Sequence, residues 1–272
     1  MKHADIEQFC IMVIDKPSGP TSFQVSQYIK QALGTNKTSH FGTLDPMVSG
    51  VLPIGVGRAC RLSDWFMHKD KTYVGIMRLH APVPEKKLAE VITQFIGTIN
   101  QLPPVRSRVK RALRERTIKS FTIKEQKGTD VLFETTVQAG TYIRKLIHDM
   151  GLQLGGAHML ELRRTQASVF IEPAYTLYEF ETACEAHKRG DKQALHALMR
   201  SPHDLMKEIL PTIAAPLTLI PQLLKGKRLM KHDFPTGVPD EDFAVYNAQK
   251  LVGIYHPVTE GNIIARPDFV YN

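Results

Sequence analysis

Asp130-Val131-Leu132-Phe133-Glu134-Thr135-Thr136-Val137-Gln138 alternates residue by residue and puts Val131, Phe133, Thr135 and Val137 on one face, the signature of a half-buried strand. After Ala139-Gly140 the period changes. Ile143, Leu146, Ile147 and Met150 recur at helical spacing behind Thr141, which reads as the N-cap. A strand running almost directly into a helix excludes both an all-β and an all-α chain, and the same change recurs on either side. Upstream, Ile11 to Ile14 is a short apolar strand ending in the turn Asp15 to Pro20. A helix follows, with Ser22 as its expected N-cap, Val25, Tyr28, Ile29, Ala32 and Leu33 in one stripe, and Gly34 as its stop. Tyr73 to His80 reads as a strand with Tyr73, Gly75, Met77 and Leu79 together. The next helix carries Leu88, Val91, Ile92, Phe95 and Ile96 and ends at Gly97. Elements alternate without a fixed period, so the class is α+β with a mixed sheet.

Downstream the character shifts. Ile209 to Leu224 is apolar but broken by Pro211, Pro216 and Pro221, and it is shorter than the roughly 20 residues of a spanning helix, so it reads as a packed connector. From Lys225 onward, Phe243 to Tyr246, Leu251 to Tyr255 and Asn262 to Ala265 are strand-like runs between turns. They form a small β appendage, too small to fold alone. The chain thus divides into residues 1–208 and 209–272.

Composition narrows the partners. In 272 residues, 35 Lys+Arg face 27 Asp+Glu, a formal charge of +8, which favours a polyanion, nucleic acid first. Hydrophobic residues at 43% exclude a disordered chain. Cys10, Cys60 and Cys184 lie too far apart for a disulfide framework or a zinc knuckle, which points to a reducing, cytoplasmic setting. Asp5 and Glu7 interrupt any signal-peptide-like start. The bases concentrate between Pro103 and Lys127, where Arg106, Arg108, Lys110, Arg111, Arg114, Arg116, Lys119, Lys124 and Lys127 meet only Glu115 and Glu125. Such a run is suited to gripping phosphates.

One segment carries chemistry: Ser39-His40-Phe41-Gly42-Thr43-Leu44-Asp45-Pro46. Pro46 holds Asp45 out of the α region and Gly42 permits a tight turn, so a rigid loop projects one carboxylate, as a nucleophile or base requires. On the dipeptide alone, Asp-Pro is equally a turn initiator. Arg144, in the first turn of its helix, opposes the helix dipole and calls for an anion, for which Asp45 is one candidate. A hydrolase elbow of the G-x-S-x-G kind is missing, and Gly55-Val56-Gly57 lacks the third glycine of a dinucleotide loop.

Read together, His40-Phe41-Gly42-Thr43-Leu44-Asp45-Pro46, Lys71-Thr72-Tyr73, Gly140-Thr141-Tyr142-Ile143-Arg144, Leu162-Arg163-Arg164 and Lys16-Pro17-Ser18-Gly19 resemble, in order, the motifs of the TruB/dyskerin pseudouridine synthases. The resemblance spans roughly Ile11 to Phe170. It implies a mixed-sheet catalytic domain that isomerises uridine in RNA without metal or organic cofactor. Asp45 resembles the catalytic aspartate, attacking ribose C1′ or the base. Tyr73 resembles the aromatic that stacks on the target base, and Arg144 the arginine paired with the carboxylate. His40 resembles the residue that holds the everted nucleotide, Leu162 an apolar wall of the pocket, and Lys16 part of the amino-terminal motif at the RNA side. With these go Arg106, Arg108, Lys110, Arg111 and Arg114 as RNA-binding residues.

Gln101 to Arg116 and His158 to Arg164 are closest to the dyskerin-like branch, whose usual amino-terminal extension is missing here. The carboxy-terminal β segment is similar to an abbreviated PUA-type RNA-binding module. The leading expectation is a stand-alone, monomeric enzyme acting on the T-loop uridine of tRNA. The alternatives are the catalytic subunit of an H/ACA guide-RNA particle, with guide RNA and accessory proteins, and an RNA-binding or tRNA-folding protein without catalysis.

Overall fold

The computed structural model describes residues 8–103 and 110–272. In chain order the elements of the larger layer begin with β1 (Phe9–Lys16), α1 (Ser22–Leu33), β2 (Thr38–His40), β3 (Ser49–Gly57), α2 (Ser63–Met67) and β4 (Lys71–Leu79). There follow α3 (Glu85–Phe95), β5 (Gly97–Gln101), β6 (Arg114–Lys127), β7 (Asp130–Val137), α4 (Ile143–Leu154) and β8 (Ala157–Ala167). The layer closes with β9 (Phe170–Ile171), β10 (Tyr175–Thr176), α5 (Leu177–Lys188), α6 (Lys192–Ala197), β11 (Met199–Arg200) and α7 (Pro202–Ile209). The strands form one sheet in the order β10-β1-β3-β8-β4-β7-β6-β5, with β11, β2 and β9 added to β1, β3 and β8. Most pairs are antiparallel; β1–β10 and β3–β8 are parallel, so the sheet is mixed.

β1 explains the two-sided architecture. Its apolar run Phe9 to Ile14 is buried on both faces, as a central strand demands. Cys10, Met12 and Ile14 enter the core shared with α1, α3, α4 and α5. Phe9, Ile11 and Val13 point the other way, onto Leu205 and Met206 of α7 and onto the second sheet. That sheet comprises β12 (Thr212–Ala214), β13 (Leu229–Met230), β14 (Phe243–Asn247), β15 (Lys250–Glu260) and β16 (Ile263–Val270), in the order β12-β14-β15-β16-β13. Ala244, Tyr246, Leu251, Ile254 and Phe269 share one cluster with β1 residues, while Phe243, Val245, Val252 and Tyr255 pack on the far face around Leu223 and Leu229. The Phe9 ring lies 6.0 Å from Phe269 and 4.6 Å from Tyr271. Arg58 donates to the Asn272 side chain at 2.6 Å and sits over the Tyr271 ring.

The alternation of β7 and the apolar stripe of α4 match the expected faces residue for residue. Several boundaries differ. The N-cap of α1 is Thr21, not Ser22: Thr21 and Gln24 form a reciprocal capping box, and the Ser22 hydroxyl is instead turned inward. The α4 helix begins at Ile143 with no side-chain cap, because Thr141 Oγ1 donates to Gln138 O. Ile96 lies beyond the end of α3 and is exposed. Within the proline-spaced connector, Thr212–Ala214 is an edge strand parallel to β14, so the second sheet starts before Lys225. Among the described residues no helix is long and apolar enough to cross a membrane, and the three cysteines are buried and in no disulfide.

Candidate active site

Asp45 stands at the first position of a turn closed by Val48 N–H donating to Asp45 O at 3.0 Å. Leu44 and Val48 on either side are buried, which leaves Asp45, Pro46 and Met47 facing out. Independent contacts fix this loop. Ser22 Oγ donates to Leu44 O at 3.0 Å and accepts from Leu44 N–H at 2.8 Å. Gly19 N–H donates to Pro46 O at 2.9 Å. Lys16 Nζ donates to Pro46 O at 3.0 Å and to Pro17 O at 2.7 Å.

Lys16 therefore sits where an RNA contact cannot. Its side chain is buried, and burial, partly opposed by the Asp45 charge, lowers its pKa from the ordinary lysine value. It clamps the Asp45–Pro46 backbone from beneath.

The carboxylate points at α4. Arg144 Nη2 donates to Asp45 Oδ2 at 2.7 Å, with both side chains about half exposed. Arg144 is the second residue of α4, so the pair also brings an anion to the positive end of that helix. The approach to α4 is fixed from the sheet. Tyr142 N–H donates to Gln101 Oε1 at 3.0 Å and Gln101 Nε2 donates to Tyr142 O at 3.3 Å, the side chain of Gln101 being buried.

A fully buried arginine joins the loop to the sheet. Arg164 Nε donates to Val51 O at 2.8 Å and Nη2 to Gly42 O at 3.0 Å. Tyr73, its neighbour across β4–β8, is within hydrogen-bonding reach of the same guanidinium. Burial pushes the Arg164 pKa down. The approach requires Gly50: a Cβ there would lie 2.2 Å from Arg164 O, and its φ is +103°. Arg163 points to the opposite face and takes Asp15 in a fork, both contacts at 2.9 Å, together with Glu172. Lys71 is buried beside Arg164 and donates to Met67 O and Lys69 O. Desolvation first, then the Arg164 charge, lowers its pKa to about 8, against the opposing pull of Asp70.

His40 Nε2 lies 3.1 Å from Thr43 Oγ1, and burial together with the Arg164 charge lowers its pKa, favouring the neutral ring. Leu162 is buried against Gly75 and belongs to the same core cluster as Leu44 and Ile143. Lys110 and Arg111 are exposed and Arg114 half-buried. Arg106 and Arg108 lie outside the described residues. Arg114 pairs in register with Gln101, so the basic stretch begins beside the strand end that holds Tyr142. The structure pairs Asp45 with Arg144, places His40 at the start of the same loop and links Tyr73 to that loop through Arg164, while Leu162 lies in the core cluster that also holds Leu44. It adds individual roles for Gln101 and Lys71, which the sequence reading names only within longer segments. A polar side chain is legible as a clamp only when the backbone it holds, tens of residues away, is known.

Residues 30–85 match the domain family described as TruB family pseudouridylate synthase (N terminal domain), and residues 144–207 the tRNA pseudouridylate synthase B C-terminal domain. Residues 59–154 also match the Pus10 C-terminal family. A protein of Thermococcus kodakarensis named "Probable tRNA pseudouridine synthase B" is 52% identical over 166 residues, covering 61% of this chain and 49% of the relative, so the chain spans about half the length of such relatives. Among solved structures, one titled "Crystal Structure of a Cbf5-Nop10-Gar1 Complex" superposes with a TM-score of 0.89 at 34% identity, over 100% of this chain and 87% of the other. One titled "Structure of H/ACA RNP bound to a substrate RNA containing 2'-deoxyuridine" gives 0.89 at 32%, over 100% and 88%.

Proposed function

The chain belongs to the TruB/dyskerin family of pseudouridine synthases, and from that premise we propose that it isomerises uridine to pseudouridine in RNA, with the T-loop uridine of tRNA as its substrate. The observation that carries the proposal is the Asp45–Arg144 pair, an aimed carboxylate on a loop fixed by Ser22, Gly19 and Lys16. The reaction breaks the N1–C1′ bond and forms C5–C1′. The proton on C5 leaves and N1 gains one, so the chemistry balances without an external oxidant or reductant. Asp45 supplies the nucleophile. Arg144 holds it in one orientation, and the cost of that orientation is met in folding. Tyr73 gives the extruded base a stacking surface, and Leu162 closes the apolar wall. Lys110, Arg111 and Arg114 hold phosphates beside the site.

The second sheet, docked through Phe9, Phe269 and Tyr271, is a PUA-like module in this reading and engages RNA away from the target. The superposition over the whole chain with the Cbf5-containing structures favours a second reading, the catalytic subunit of a guide-RNA particle. Purified chain and unmodified tRNA transcript, scored for pseudouridine by carbodiimide-dependent reverse-transcription stops, separate the two. Conversion at one T-loop uridine, lost in Asp45→Asn while RNA binding persists, supports the tRNA reading. Conversion only when guide RNA and accessory proteins are added supports the second. Failure under both conditions refutes the enzyme.

A further inference from the structure

The Asp45–Arg144 pair is about half exposed, and an ion pair that faces water holds its partners together only weakly. Its aim must therefore come from the backbone on either side. On the Asp45 side the loop is fixed by Ser22, Gly19 and Lys16. The Arg144 side lacks the usual supports of a helix start. α4 has no side-chain cap at its N-terminus and no acidic residue in its first turn, and Arg144 puts a cation where the helix dipole opposes one. A first turn of that kind frays unless something outside the helix holds it.

That support comes from the edge of the sheet. β5 lies outermost, beside β6, and its last residue, Gln101, stands in register with Arg114. The Gln101 side chain is buried, and its amide meets Tyr142, the N-cap of α4, twice: Oε1 accepts from Tyr142 N–H at 3.0 Å and Nε2 donates to Tyr142 O at 3.3 Å. The same carbonyl receives Leu146 N–H at 2.9 Å, the bond that closes the first turn around Arg144. Just upstream, Gln138 N–H donates to Thr117 O at 2.8 Å and Gln138 Oε1 accepts from Thr117 N–H at 3.1 Å. The approach to α4 is thus laid along β6 and then pinned from β5, two residues before Arg144. The residue type fits the task. Glu of the same length lacks the donor, Lys and Arg lack the acceptor, and Asn carries both on a shorter stem. An apolar side chain would fill the same volume, so it is the two bonds that call for an amide here.

We propose that Gln101 is a positioning residue of the isomerisation: its amide sets the first turn of α4, and through it the line along which Arg144 meets Asp45. This rests on the uridine-isomerising reading, and its test separates the two. Single-turnover conversion at saturating RNA and RNA affinity are measured for wild type, Gln101→Met, Arg144→Ala and the double variant. Methionine keeps the length of the side chain and loses both bonds. Gln101→Met should convert about tenfold more slowly, less than the roughly hundredfold that a misplaced group can cost, with RNA affinity within about twofold of wild type. On the Arg144→Ala background it should slow conversion no further, because a residue that acts through Arg144 then has nothing to aim. An equal loss on both backgrounds marks a merely structural role and overturns the proposal, as does an unchanged rate or a loss confined to affinity. The Arg144 guanidinium Nε–H resonance is read in the same proteins without RNA. In Gln101→Met it should move toward its position in Asp45→Asn, and an unmoved resonance also overturns the proposal. Absence of pseudouridine from wild type refutes the isomerase instead, and the resonance then decides the positioning of the pair by itself. Melting curves check that each variant is folded. Gln101→Glu, which keeps the shape and the acceptor and gives up only the donor, goes through the same cycle in place of a Gln101→Met that does not fold.

Discussion

Replacing Lys71 by methionine should remove a specific pH dependence of stability. In the folded chain, Lys71 is buried beneath Gly42 and beside Arg164, and its pKa falls to about 8 from 10.5. Below pH 8 the lysine is charged in both folded and unfolded states, and the cost of burying the ammonium is borne in full. Between about 8 and 10.5 the folded chain has released the proton while the unfolded chain still binds it, so unfolding free energy rises with pH through that window. At about 1.4 kcal/mol per pH unit, the interval amounts to about 3 kcal/mol. Lys71→Met retains the length and apolar stem of the side chain and leaves Met67 O and Lys69 O without their donor, an offset that does not titrate. Urea unfolding followed through Trp65, the single tryptophan, gives both curves from about pH 7 to pH 10. The stability of wild type relative to Lys71→Met should climb across that range, most steeply above pH 8. Two parallel curves with a constant offset would refute the assignment of Lys71 as a desolvated ammonium under the catalytic loop.

Arg144→Ala should change folding stability by no more than about 0.5 kcal/mol, since the pair with Asp45 is half exposed, yet lower single-turnover conversion by about a hundredfold through loss of aim; melting curves and rates on one preparation check both. Phe9→Ala empties a site buried between the two sheets and stacked on Phe269, costing about 3–5 kcal/mol, with hydrogen exchange of β15 and β16 rising before that of β7. Gly50→Ala combines a φ of +103° with a Cβ 2.2 Å from Arg164 O. It should cost about 3 kcal/mol or more, measured by denaturant titration.

What the sequence discloses follows the range of the forces involved. β7 and α4 are legible because burial of Val131 to Val137 and Ile143 to Met150 writes its period into neighbouring residues. The α1 cap is also legible: Thr21-Ser22-Phe23-Gln24 is a capping box, and Ser22 displaces Thr21 only in a reading that weighs residue type above spacing. The edge strand Thr212–Ala214 is not legible, because three residues between prolines acquire strand geometry only from β14, which lies some thirty residues onward. Tyr73 stands out through family resemblance alone, whereas Asp45 also has the rigid Gly42–Pro46 loop and Arg144 the helix-dipole argument beside it.

The cationic residues show the deeper reason for the limits. In a chain of charge +8, lysines and arginines read first as a surface for phosphate, and Lys110 and Arg111 are exposed as such a surface requires. Lys16, Lys71 and Arg164 are of the same type but are buried, each spending its donors on backbone carbonyls: Pro17 and Pro46, Met67 and Lys69, Val51 and Gly42. An ammonium or guanidinium is the side chain that can hold several carbonyls at once, and a loop without regular secondary structure has carbonyls that must be satisfied. The desolvation cost is visible in the lowered pKa of all three. That cost is tolerated where a loop must present a carboxylate in one orientation before substrate arrives. The basic character of this chain therefore has two separable parts. Salt should screen the exposed part strongly and the buried part little, so raising ionic strength should weaken RNA binding while leaving the Asp45 loop, and the rate of conversion once RNA is bound, essentially unchanged.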